Sequence, residues 1–99
     1  MTEKEEIYDK DIAPQLLKIA RKCEKEGISF VAHVEWEPGD GGRTETLAKN
    51  ASIGHRLISW AVACQGNIDT LLMRAIRYAE EHGHSSVYLH LLGVPEDKE

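Results

Sequence analysis

At Gly27 the spacing of apolar residues changes from every third or fourth position to every second, and a chain with this change must mix helix with sheet. Before it, Ile12, Leu16, Ile19, Ala20 and Cys23 fall on one helical face, opposite Lys18, Arg21, Lys22 and Lys25. The spacing predicts a helix starting after Asp9-Lys10-Asp11, with Pro14 tolerated in its opening turn and Gly27 as its left-handed stop. After Gly27, Ile28, Phe30, Ala32, Val34 and Trp36 alternate with polar or exposed positions, which predicts a strand. Pro38-Gly39-Asp40-Gly41-Gly42 reads as a turn, and Arg43 to Leu47 as the returning arm of a hairpin. A two-stranded ribbon is marginal in water, so it must lie on the helices or pair with another chain.

Helical spacing resumes over residues 51 to 65, with Asn50 or Ser52 as cap and Gly66 as stop. Ile53, Leu57, Trp60, Ala61 and Cys64 form one stripe, expected to face the core, while Ile58 and Val62 point elsewhere. A helix apolar on two sides is either central or shared with a partner. With Trp36 and Trp60 nearby in the pattern, Trp36, Ile58, Trp60 and Val62 form the candidate interface, and a symmetric homodimer is the commonest way to cover such a surplus. A third helix starts at the Asn67 cap, buries Ile68, Leu71, Leu72, Ala75, Ile76 and Ala79, and ends at Gly83. Ser85 to Gly93 suits either a strand or a helix; capping by Ser85 or Ser86, closure at Gly93 and the following Pro95 favour a short helix. The expected fold is α+β, in the order helix, hairpin, helix, helix, short helix. At 99 residues the chain is expected to form one domain, with charged tails at 1 to 10 and 96 to 99.

Net charge is -5, but the two tails carry all but one unit of it. That balance argues against a duplex-DNA binder without excluding a local basic face. The second and third helices loosely match a helix-turn-helix, and Lys18, Arg21, Lys22, Lys25, Arg74 and Arg77 are the candidate nucleic-acid contacts. Two cysteines, Cys23 and Cys64, fall on apolar helix faces; with no leader and no apolar run near the ~20 residues of a membrane span, they predict a reduced, cytoplasmic setting. The five histidines lack the tight ligand spacing of a zinc site, the cysteines sit in surroundings that make thiols inert, and the glycine run lies between strands, unlike a phosphate loop. No catalytic, metal or cofactor residue is therefore assigned. An enzyme or small-molecule site around the histidines and Arg43 is a third possibility.

From Asn67 to Pro95, the Glu-His-Gly-His-Ser-Ser run at 81 to 86 and the closing Leu-Leu-Gly-Val-Pro at 91 to 95 resemble uncharacterised small proteins encoded by bacteriophages and prophages. That resemblance implies a small accessory protein binding or inhibiting a host factor, and it carries no site residues. The leading expectation is thus an interaction protein, itself homodimeric, that binds another protein.

Overall fold

The computed structural model describes residues 2–97; Met1 and, from the predicted C-terminal tail, Lys98 and Glu99 lie outside them. The elements follow the expected α+β order, and their contacts form two compact units divided between Val62 and Ala63.

In the first unit, α1 (Glu3–Ile7), a π-helical segment (Tyr8–Ile12) and α2 (Ala13–Glu26) run on without interruption. The first ten residues are thus mostly helix, where a charged tail was expected. The reason is Thr2, whose side-chain oxygen accepts the Glu5 N–H at 3.1 Å, with Glu3, Glu5 and Glu6 set against the positive end of the helix. Pro14 does not begin the helix; it sits inside it. A proline offers no N–H to the carbonyl four residues back and its ring crowds that carbonyl. Directly before it the helix widens: the Ala13 N–H reaches back to the Tyr8 carbonyl, and the Gln15 side chain donates to the Asp11 carbonyl at 2.6 Å. Gly27, at φ 71°, ends α2 as expected.

The hairpin pairs β1 (Phe30–Glu37) with β2 (Asp40–Thr46), antiparallel, with Val34 opposite Gly42 and His33 opposite Arg43. Its loop is only Pro38-Gly39, with Gly39 at φ 87°, the residue chemistry of a type II turn. A register shift between Glu35 and Glu37 absorbs the poor match between such a turn and strand twist. Gly41 and Gly42 therefore belong to β2 and not to the loop, and each is small for a packing reason. A Cβ on Gly41 would lie 2.5 Å from the Val34 carbonyl oxygen, and one on Gly42 would enter the Tyr8 ring. Tyr8 is buried and tilted against Trp36, ring centroids 4.9 Å apart. Phe30, Ala32, Val34, Trp36, Gly42, Thr44 and Thr46 are half-buried on the side of the hairpin turned to α2, where Ala20 is buried. Ile19, expected inside, is exposed, because a ribbon of two strands covers a narrower arc than the helix offers.

Also in this unit are the residues of α3 (Ile53–Ala63) up to Val62.

The second unit holds α4 (Ile68–His82) and α5 (Val87–Leu91). Asn67 caps α4 through Thr70 N–H at 3.0 Å, and Ser86 caps α5 through Leu89 N–H at 3.1 Å, so the ambiguous segment is helical. His84 ties the connection to the chain end: its Nδ1 accepts from Ser86 N–H at 2.9 Å, which leaves Nε2 to donate to the Val94 carbonyl at 3.0 Å. Ala79 and Val94 are its buried apolar residues.

Overpacking against Tyr8 should make Gly42→Ala less stable by about 1 to 3 kcal/mol. Gly54→Ala on α3, where a Cβ meets only the Ser52 oxygen at 3.8 Å, should gain up to about 1 kcal/mol. Urea midpoints of the two variants check both signs.

Candidate interaction surface

Helix α3 packs with its polar side inward. Ser59 is the buried residue of the helix, 6% exposed, and its hydroxyl donates to Glu45 Oε2 at 2.5 Å. His55, Arg56, Trp60 and Val62 flank it, half-buried. Arg56 fastens the approach to the helix, donating from Nε to the Ala51 carbonyl and from a terminal nitrogen to that of Lys49, both at 3.1 Å. Ser52 caps the helix by accepting the His55 N–H at 3.2 Å.

The consequence lies on the opposite side. Ile53 is 47%, Leu57 39% and Ile58 56% exposed, and Gly54 and Ala61 between them are open as well. Of the stripe expected to face the core, Ile53, Leu57 and Ala61 are exposed while Trp60 and Cys64 are half-buried, and Val62, expected to point elsewhere, is half-buried too. Two hydrogen bonds from a guanidinium and one to a carboxylate contribute about 1.5 to 3 kcal/mol each. Full burial of one leucine or isoleucine is worth about the same. The two sides are thus close in worth, and the Ser59 bond to Glu45, with Trp60 and Val62 half-buried beside it, holds the polar side inward and leaves the stripe uncovered. The inward side is not ideal either: His55 Nε2 is buried without a hydrogen-bond partner, a loss of about 1 to 3 kcal/mol.

Of the four candidate interface residues, only Ile58 lies open. Trp36 is engaged with Tyr8, and Trp60 and Val62 are half-buried. Sequence reasoning missed Ile53, Leu57 and Ala61 as surface residues because it ranked side chains by hydropathy; the signal available was the spacing of Ser52, His55, Arg56 and Ser59 along one polar arc. In the second unit, Ile68, Leu72 and Met73 on α4, Val87, Tyr88 and Leu91 on α5 and Leu92 just after it are exposed.

The basic candidates Lys18, Arg21, Lys22 and Lys25 share the exposed side of α2, and Arg74 and Arg77 are exposed on α4. Among the described residues none of the six is held in an ion pair. The histidines do not converge. His33 lies on the outer face of β1, opposite Arg43; His82 stacks on Tyr78 with centroids 4.1 Å apart; His90 approaches Glu96 at 3.2 Å on the surface. Among the described residues no three His, Cys, Asp or Glu side chains are grouped to hold a metal ion. A cleft of about 280 Å³ opens between the first helical turns and β1, lined by Lys4, Ile7, Tyr8 and Ile12 on one side and Val34, Glu35 and Trp36 on the other.

Comparison of the chain with protein-family models, curated proteins and solved structures finds no match. Among the described residues no helix is long and apolar enough to cross a membrane.

The inward polar side of α3 gives opposite expectations for adjacent positions. Leu57→Ser should change stability by no more than about 0.5 kcal/mol, as for an ordinary surface site. Ser59→Leu should destabilise by about 1 to 3 kcal/mol through overpacking and the lost Glu45 bond. Thermal or urea unfolding of both variants measures this; equal costs at the two positions would contradict the orientation.

Proposed function

We propose that this chain is an interaction protein, homodimeric itself, that acts by binding another protein through the outward face of α3. The observation that carries the reading is the uncovered stripe of Ile53, Leu57, Ile58 and Ala61 on a helix whose polar arc is spent inward. Soluble chains seldom leave contiguous large apolar side chains in water, and such patches mark contact surfaces. That stripe carries no charged side chain, so the contact is chiefly apolar, with Gly54 and Ala61 allowing a partner backbone to come close. The resemblance to small bacteriophage and prophage proteins gives this binding the form of an accessory or inhibitory role toward a host factor. Two half-buried, unbridged cysteines favour a reducing cytoplasmic setting.

A second reading draws on a separate observation, the exposed, unpaired cations of α2. A nucleic acid held by Lys18, Arg21, Lys22 and Lys25 would show affinity falling steeply with salt.

The test uses the immobilised chain and a Leu57→Glu/Ile58→Glu variant against extract of the native host. A partner retained by the wild type and lost by the variant, at an unchanged melting temperature, is the expected result. Equal retention by both removes α3 from the binding surface.

A further inference from the structure

The hairpin has two strands and two margins, and the margins differ. Strand β2 carries Gly41 and Gly42 and its Glu45 is bonded to Ser59 on α3. Strand β1 has the sequence Phe-Val-Ala-His-Val-Glu-Trp-Glu, rich in β-branched and aromatic residues and free of the lysine or proline that commonly guards an open edge. Among the described residues β2 is the strand paired with it, so its far margin holds unpaired backbone groups. The cleft beside the π-helical turn takes Val34, Glu35 and Trp36 from β1 and Lys4, Ile7, Tyr8 and Ile12 from the helix alongside. On the outer face of β1, His33, Glu35 and Glu37 are exposed.

We infer that β1 pairs antiparallel with β1 of a second copy across a two-fold axis at Val34, joining two hairpins into one four-stranded sheet. This deepens the self-association in the proposed function and leaves α3 free for the other protein. Charge picks both the occupant and the register. In an antiparallel pair, residues facing each other must share a face of the sheet, so only every second register is allowed. Centred on His33, the outer face would line up Arg43 and His33 with the same two residues of the other copy and set no acid against them. Centred on Glu35, two carboxylates would meet. Centred on Val34, Glu35 faces the partner subunit's His33, which has Arg43 beside it, and the reciprocal pair forms on the other side of the axis. On the helix-facing side the same register sets Ala32 against the partner subunit's Trp36, small against large. An isologous contact needs a row of side chains complementary to its own reverse, and His33-Val34-Glu35 is such a row.

Sedimentation velocity on the full chain across a concentration series tests this. The wild type should dimerise. His33→Glu, which sets carboxylates against carboxylates at both ends of the axis, should weaken the dimer at least about tenfold. His33→Glu/Glu35→Lys sets an acid against a base at each of those positions and should return dimerisation towards the wild-type level, which also shows that the substituted strand still folds; both positions are exposed in the single chain. Leu57→Glu should dimerise like the wild type. A wild type that stays monomeric, a dimer indifferent to His33→Glu, or no recovery in the double variant would overturn the pairing. A dimer lost in Leu57→Glu would also overturn it, by assigning the self-contact to α3. The α3 reading stands or falls separately, on capture of the other protein.

Discussion

The wedge formed by Tyr8, Trp36 and Gly42 is the interaction on which the first unit depends. A hairpin of two strands does not hold together alone in water, and a single amphipathic helix gains little without something to cover its apolar face. Tyr8 solves both problems at once, lying over the glycine of one strand and against the tryptophan of the other. The ring supplies what would otherwise need several aliphatic side chains, since one buried aromatic removes some 150 to 250 Å² from water. The rest follows from it: Gly42 is small, the hairpin loop is two residues long, and the helix must place position 8 over the sheet.

Much of this architecture is legible in the residues, and the misses have physical causes. The period change at Gly27 marks the passage from helix to strand, and the caps Asn67 and Ser86 mark α4 and α5 because a side-chain oxygen three residues before an amide has few other uses. Thr2-Glu3-Lys4-Glu5 is an equally good signal, yet a dense run of charge there reads as a solvated tail. Gly41 and Gly42 read as loop because glycine's usual role is conformational freedom; in this chain its role is the absence of a side chain beneath a ring. Neither error is one of propensity. The first overlooks a local cap within a run of charge; the second arises where a distant residue, invisible to local pattern, decides what a local residue does.

The orientation of α3 shows the limit of reading amphipathicity from hydropathy alone. Burial of a leucine and a charge-assisted hydrogen bond have similar worth. When a helix offers apolar groups on one side and well-placed anchors on the other, the partners already in place decide which side goes in. Glu45 and the carbonyls of Lys49 and Ala51 receive Ser59 and Arg56. The apolar residues are then displayed by default, so a surface fitted to an outside partner arises with no extra structure to build it.

The π-helical turn leaves the first helix no room for added length. Five residues occupy a turn that ordinary helix fills with fewer, so the segment before Pro14 behaves as a helix holding one residue in excess. Loss of one residue from Asp9–Asp11 would be absorbed, restoring regular winding with the flanks nearly in phase, whereas one residue more would swing everything ahead of it by about 100° around the axis. Tyr8 would then leave the glycine it rests on, although every amino acid that touches the sheet would still be present. Spelling alone does not preserve this helix; its phase must be kept too.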